Sequence, residues 1–244
     1  MRKKSILLTG GSGFLGFNLI KALSDNYKLL LILKRKDKKI KANKDLKIIY
    51  YKNAQSLNKL KKNKIDYIIH CATHYRKNHE FNDIEKMSDS NLVLGNIILE
   101  LNNIFRVKKF LNFSTVWENY DGIQNNSKNL YSSYKQAFSN ILNYYKKNFP
   151  KTKFYNIFLS ETFGEFDKRR KLISILKNNY KKNKLSKIVS KNLKVNVLNV
   201  KDIIKAVKII LNKNIKSGDY VLKNDKNVFI RDIIKHLDKK SKKS

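Results

Sequence analysis

Short runs of consecutive apolar residues alternate along this chain with longer stretches whose apolar positions recur at three- and four-residue spacing. The first pattern predicts strands buried on both faces, the second amphipathic helices. Their alternation predicts an α/β fold, a parallel sheet with crossover helices. Strands are expected at Ser5–Thr9, Lys28–Leu33, Leu46–Tyr51, Ile65–Ala72, Val107–Phe113 and Phe154–Leu159. Helices are expected at Phe14–Leu23, Ser88–Leu101 and Leu130–Lys147; in the first, Leu15, Leu19, Ile20 and Leu23 share one stripe. Past Leu159 the alternation loosens. A helix near Lys171–Asn179, strand-like Leu193–Leu198, a helix Lys201–Leu211, a strand Asp219–Leu222 and a helix Ile230–Leu237 follow. That change of character divides the chain into a sheet domain, residues 1–159, and a small lobe, 160–244, some of whose segments return to the sheet.

With 244 residues the chain can bury the core of one such domain. Its 41 % hydrophobic and 11 % aromatic content argues against wholesale disorder. Lys and Arg number 54 against 19 Asp and Glu, a net charge of +35. The lysines are spread over the whole chain, with abundant Asn, Ile and Tyr and one Pro, as an AT-rich coding bias produces. The charge therefore reads as a general pull on anionic ligands and not as a nucleic-acid interface. A single cysteine, Cys71, excludes an internal disulfide and fits a reducing compartment. No apolar run approaches membrane-spanning length, and Met1-Arg2-Lys3-Lys4 leads into Thr9-Gly10-Gly11 without a leader's apolar core. A soluble, cytoplasmic protein with no membrane partner is expected, and the tail Lys239–Ser244 reads as a frayed end. His70, His74 and His79 span a strand end and a loop with no cysteine pair nearby, so no metal site is expected.

Four of the eight glycines fall in Gly10-Gly11-Ser12-Gly13-Phe14-Leu15-Gly16, between the first strand and the first helix. Gly10 turns the chain out of the strand, Gly13 admits backbone N–H groups to a pyrophosphate, and Gly16 lets the helix close on the sheet. The helix N-terminus adds unpaired donors and roughly half a positive charge. Gly10, Gly13, Phe14, Leu15 and Gly16 are thus expected to hold a dinucleotide. The second strand ends in Leu33-Lys34-Arg35-Lys36, with no carboxylate for ribose hydroxyls. Arg35 stands about twenty residues past Gly16, where a guanidinium can grip a 2′-phosphate. Lys34 and Arg35 therefore favour NADP(H), with NAD(H) the alternative.

Tyr131 and Lys135 stand at i and i+4 on the predicted long helix and share a face. With thirteen tyrosines and so many lysines the spacing alone proves little, and Tyr180/Lys184 repeats it. Only Tyr131 opens a helix that follows a sheet strand, where both side chains can reach the carboxyl edge.

Together, Thr9-Gly-Gly-Ser-Gly-Phe-Leu-Gly16 and Tyr131/Lys135 resemble the extended short-chain dehydrogenase/reductases, also called NAD-dependent epimerase/dehydratases. The likeness runs over almost the whole chain. Ile69-His70-Cys71-Ala72-Thr73 is similar to the family's fourth-strand motif along the cofactor, and Asn91 matches an asparagine of its fourth helix. Val197-Leu198-Asn199-Val200-Lys201-Asp202 resembles its late strand. Ala72-Thr73-His74-Tyr75-Arg76, Trp117-Glu118-Asn119-Tyr120, Asn129-Leu130-Tyr131 and Phe163-Gly164 with Asp167, Arg169 and Lys171 look like the CDP-abequose and CDP-paratose synthase subgroup. The resemblance implies a Rossmann-like doubly wound sheet, a homodimer, and NADPH reduction of a CDP-linked 4-keto-deoxyhexose. Tyr131 would be acid/base and Lys135 would also hold ribose; Ala72, Thr73 and Asn91 would face the cofactor. Tyr75, Arg76, Thr115, Arg169 and Lys171 would face the substrate, although Arg169 and Lys171 equally suit a charged helix start. A free phenol has a pKa of about 10, so bringing it to about 7 takes roughly 4 kcal/mol, which Lys135 and an oxidised nicotinamide are expected to supply.

Two features depart from the pattern. An ungapped match puts Phe113 where the family has a catalytic Ser or Thr; a one-residue shift would present Ser114 instead. The chain also ends soon after Leu237, so a shortened lobe is expected. The competing readings are a nucleotide-sugar 4-epimerase with retained NAD, and a catalytically idle dinucleotide-binding sensor or scaffold.

Overall fold

The computed structural model describes residues 2–182 and 192–241. Its centre is a parallel sheet of seven strands: β1 (Ser5–Thr9), β2 (Lys28–Leu33), β3 (Leu46–Tyr50), β4 (Tyr67–His70), β5 (Lys109–Thr115), β6 (Lys153–Leu159) and, late in the chain, β10 (Gly218–Leu222). Their spatial order is β10-β6-β5-β4-β1-β2-β3. The chain therefore starts in the middle, winds outward on one side and then crosses to the other, which is the doubly wound Rossmann topology. Register is set by apolar rows such as Leu31–Leu8–Ile69–Leu111–Tyr155.

The apolar runs are continuous because both faces of the sheet are covered. Ile6, Leu8, Leu31, Ile69, Leu111, Phe113 and Tyr155 point to one side and pack on α1 (Phe14–Leu23) and α6 (Val200–Asn212). Leu7, Leu30, Ile68, Phe110 and Phe154 point to the other, against α3 (Leu94–Phe105) and α4 (Leu130–Asn148). Side chains alternate along a strand, so neighbouring positions serve opposite cores.

Several expected elements have different limits, among them the fifth strand, expected at Val107–Phe113 and found at Lys109–Thr115; for two others the reason is local. β4 stops at His70 because the Cys71 and Ala72 N–H groups turn to the Thr9 hydroxyl oxygen at 3.2 and 3.1 Å, leaving the ladder. The helix expected at Ser88–Leu101 begins earlier, as α2 (Ile84–Ser88). It widens into a π-turn over Asp89–Val93 and continues as α3 until Arg106 takes a left-handed conformation at φ 49°.

Beyond β6 the chain splits its loyalties. β7 (Glu161–Phe163) pairs with β9 (Val197–Asn199), and α5 (Leu172–Lys181) lies between them in sequence. The expected strand Leu193–Leu198 is broken at Asn196: β8 (Lys194–Val195) pairs instead with β11 (Val228–Phe229), which leads into α7 (Ile230–Ser241). Asn196 spends its side chain on the backbone of Asn224, at 2.9 and 3.0 Å. α6 and β10 belong to the central layers, through Ile203, Val207 and the β10–β6 pairing. Among the described residues no helix is long and apolar enough to cross a membrane.

Candidate active site

A cleft of about 1040 Å³ opens over the carboxyl ends of β1, β2, β4 and β5. Gly10, Ser12, Gly13, Phe14, Leu15 and Gly16 line it. Gly10 stands at φ +71° and a Cβ there would lie 2.6 Å from the Ala72 nitrogen, while a Cβ on Gly16 would fall on the Gly10 carbonyl. Only glycine permits this tight crossing of loop, helix and β4. Gly13 is the N-cap of α1 and no side chain caps the helix, so the first-turn N–H groups face the cleft without a competing partner.

Asn129 starts α4 as a capping box: its side chain accepts the Ser132 N–H at 3.0 Å, and the Ser132 hydroxyl accepts the Asn129 N–H at 3.0 Å. Such a cap is worth about 1 kcal/mol. It also fixes Tyr131 in the first turn, with Lys135 one turn deeper and 3 % exposed; both line the cleft. Tyr131 sits in a ring contact with Tyr75, centroids 5.0 Å apart and planes at 87°. Burial raises its phenol to about 12, against a lowering by the Thr73 side chain. Burial lowers Lys135 to about 8, opposed by Glu118. Burial thus keeps Tyr131 a neutral phenol.

Phe113, Ser114 and Thr115 all border the cleft at the end of β5, but the pleat turns their side chains to different faces. Phe113 points into the core against α1 and α6, while Ser114, on the opposite face with Phe110, lies on the side of α4. Ser114 lines the cleft as a residue only 3 % exposed, and its buried hydroxyl has no hydrogen-bond partner within the protein; the Ser160 hydroxyl is likewise buried without one. Thr115 also lines the cleft, but its oxygen caps the following turn by accepting the Trp117 N–H at 3.3 Å.

Ala72, Thr73, Tyr75 and Arg76 line the cleft as expected residues of the β4 loop, whereas Asn91 does not. Buried in the π-turn, Asn91 donates to the His74 carbonyl at 3.0 Å and accepts the His74 N–H at 3.0 Å and the Thr73 hydroxyl at 2.6 Å. It holds the loop from behind, which corrects its expected role as a cofactor contact. His70 is deeply buried beside the Thr9 hydroxyl and kept neutral, its pKa lowered to about 3 by burial and by Lys135.

At the far end, Lys34 and Arg35 line the cleft but are not equivalent. Lys34 is ion-paired to Asp89 and donates to the Ser90 hydroxyl at 2.7 Å, and Tyr51 donates to the same Asp89 at 3.1 Å. Arg35 is exposed. On the other wall Arg169 is held by Asp167 at two points, both 2.8 Å, and donates to the Thr162 carbonyl at 2.9 Å and hydroxyl at 3.0 Å. Its guanidinium lies 4.1 Å from the Phe14 ring centroid. Most of its donors are spoken for, so it acts as a strut between Phe14 of the glycine loop and the segment 162–167. Lys171 pairs with Glu161 at 3.1 Å, and its ammonium stands 5.0 and 5.2 Å from the rings of Tyr75 and Trp117. Lys184, from the competing Tyr180 spacing, lies outside the described residues.

Two acidic residues had no role assigned from the sequence. Glu161 lines the cleft opposite Tyr75 and partners Lys171. Glu118, 3 % exposed, accepts from the Ser139 hydroxyl at 3.0 Å, and burial raises its carboxyl to about 7. Ser139 accepts from Asn156 at 3.1 Å, which accepts from Asn112 at 2.8 Å. The only local sign was an acidic residue beside the single tryptophan of a strongly basic chain.

The sequence model of the NAD dependent epimerase/dehydratase family matches residues 6–222. The CDP-abequose synthase of Salmonella muenchen is 25 % identical, over 89 % of this chain and 73 % of that protein. A dTDP-D-glucose 4,6-dehydratase of Dictyostelium discoideum is 27 % identical, over 96 % of this chain and 61 % of its own length. Among solved structures, the UDP-glucuronic acid 4-epimerase of Bacillus cereus, in complex with UDP-glucuronic acid and NAD, superposes with a TM-score of 0.85 at 20 % identity. It covers 98 % of this chain and 84 % of its own. At that identity the likeness speaks for the fold.

Proposed function

Since this chain belongs to the NAD dependent epimerase/dehydratase family, we propose that it is a nucleotide-sugar oxidoreductase that reduces a CDP-linked 4-keto-deoxyhexose with NADPH. One observation carries the reading: the glycine cradle, Ser114, Tyr131 and Lys135 open into a single cleft. The residues fit a dinucleotide. Uncapped N–H groups of α1 face the space where a pyrophosphate would lie, and the buried Ser114 and Ser160 hydroxyls lack partners within the protein. Gly13, Phe14 and Leu15 would hold the phosphates, Arg35 a 2′-phosphate, and Ala72, Thr73 and Lys135 the nicotinamide half. When bound, NADPH supplies the hydride.

The chain's own groups supply the rest. Tyr131, kept neutral by burial, gives its proton to the keto oxygen as that oxygen becomes a hydroxyl, a contribution typically worth about 10²–10⁴ in rate. Ser114 donates to the same oxygen, where negative charge develops. Arg76, Arg170 and Lys171 line the outer wall and suit an anionic diphosphate. Residues 1–159 would serve the dinucleotide and 160–244 the sugar, apart from α6 and β10. Homodimerisation through α3 and α4 is part of the same reading; Ile104 and Tyr144 are exposed on them.

Turnover of a panel of CDP-, dTDP- and UDP-linked 4-keto sugars, followed by NADPH absorbance, tests the proposal. Stoichiometric NADPH loss with the CDP sugars is expected. Interconversion of 4-hydroxy epimers with no net NADPH loss would replace reduction by 4-epimerisation. No turnover with any member, despite dinucleotide binding, would leave an idle binding protein.

A further inference from the structure

We infer that Glu118 is a positioning residue that keeps Lys135 in its ammonium form: anchored on Ser139, its carboxylate is the buried counter-charge of the site. The inference deepens the roles given above to Tyr131 and Lys135 and rests on them. Lys135 and Ser139 stand at i and i+4 on α4 and so share a face. Glu118 comes from the turn after β5, is fixed to Ser139 at 3.0 and 3.3 Å, and is thereby set beside Lys135 without direct contact. Behind it, Asn156 and Asn112 hold Ser139 in place, so the carboxylate cannot swing to solvent without breaking a buried chain of hydrogen bonds.

The other groups facing the pair do not supply this charge. From the end of β4 and the loop that follows it, His70 and the Cys71 thiol are both held neutral by burial. From β10, Asp219 bears on Glu118 but is ion-paired to Lys146. Around Tyr131 stand Arg169, which is positive, and Tyr75, raised by burial. Among the described groups, Glu118 alone is both acidic and acting on Lys135 to favour its charged form, apart from the neutral thiol. Burial has already brought that ammonium to about 8. Take the carboxylate away and Lys135 gives up its proton within the neutral range, losing the charge that favours an anionic ligand.

Two measurements test this on the full chain. The first is NADPH affinity against pH, read by quenching of Trp117, the single tryptophan, which lines the cleft. Wild-type affinity is expected to weaken above pH about 8. In Glu118→Gln, which keeps a partner for Ser139 and removes only the charge, the weakening begins about one pH unit lower, a tenfold change in proton activity. Glu118→Asp retains the wild-type onset, and Lys135→Met binds weakly with no such transition. The second needs no ligand: a denaturation cycle of Glu118→Gln, Lys135→Met and the double variant. It should show coupling near neutral pH that fades in acid as Glu118 takes up a proton. A folded Glu118→Gln with the wild-type onset, a Glu118→Asp that shifts like Gln, or a cycle without coupling overturns the inference. Absence of NADPH binding in the wild type would instead refute the proposed function, and the cycle alone would then judge Glu118.

Discussion

The amide oxygen of Asn91 accepts the Thr73 hydroxyl at 2.6 Å and the His74 N–H at 3.0 Å, so one buried side chain outside the cleft fixes two residues that line it. Asn91→Leu keeps the volume and strips all three hydrogen bonds, stranding the His74 backbone groups. A loss of about 1–3 kcal/mol in chemical denaturation is expected, the cost of unsatisfied buried polar groups. NADPH affinity should fall several-fold with it, measured by fluorescence titration. A stability loss with unchanged affinity would show that the clamp serves folding alone.

Tyr131→Phe removes one hydroxyl from a ring that Tyr75 still supports edge-on. If the phenol is the proton donor, kcat for the keto sugar should drop about 10²–10⁴-fold with NADPH affinity nearly unchanged. Single-turnover kinetics beside a binding titration separate the two. Equal losses in binding and turnover would assign Tyr131 to ligand binding instead of proton transfer.

How far the site was legible depended on the range of the interaction that builds it. The glycine turn is dictated by backbone sterics within seven residues, although the approach of the Ala72 backbone to Gly10 is a long-range contact that the spacing does not carry. Tyr131 and Lys135 were legible for the same reason, since helix periodicity and the Asn129 cap act locally. Which of Phe113 and Ser114 turns its side chain to the α4 side was not, because the strand pattern fixes alternation but not which face carries α4. Arg169 suited a substrate contact or a charged helix start equally, because the hydrogen bonds to Asp167 and Thr162 that occupy it leave no mark in the sequence. Asn91 and Glu118 depend on partners 17–18 and 21 residues away across different elements. Nothing in a basic chain's composition announces a buried carboxylate.

That carboxylate makes stability depend on pH in a direction that can be worked out. Glu118 has a folded pKa raised from 4.5 to about 7, so the folded protein binds the extra proton across that window. Wild-type stability from this group is therefore highest below 4.5 and falls as pH rises toward 7. At 1.36 kcal/mol per unit the fall is about 3 kcal/mol, to order of magnitude. Glu118→Gln abolishes it, so the variant should gain on the wild type steadily over the same range in urea midpoints. Parallel curves would mean that Glu118 is ionised at little cost.

Arg35 and Lys34 adjoin at the end of β2 and yet make opposite predictions. Lys34 is tied to Asp89 and Ser90, and its charge is largely answered within the protein. Arg35 lines the same end of the cleft and is exposed, free to take a 2′-phosphate by two parallel hydrogen bonds. Charged hydrogen bonds of this kind are worth about 1.5–3 kcal/mol, so Arg35→Ala should weaken NADPH roughly ten- to a hundredfold and leave NADH within about twofold. Lys34→Ala should weaken both cofactors to a similar, smaller degree, since it frees the Asp89 carboxylate beside the ribose site instead of removing a phosphate contact. Calorimetric titration of each variant with both dinucleotides decides the matter: equal losses of NADPH and NADH in Arg35→Ala would transfer the preference to NAD(H) and remove the argument from the missing carboxylate at the end of β2.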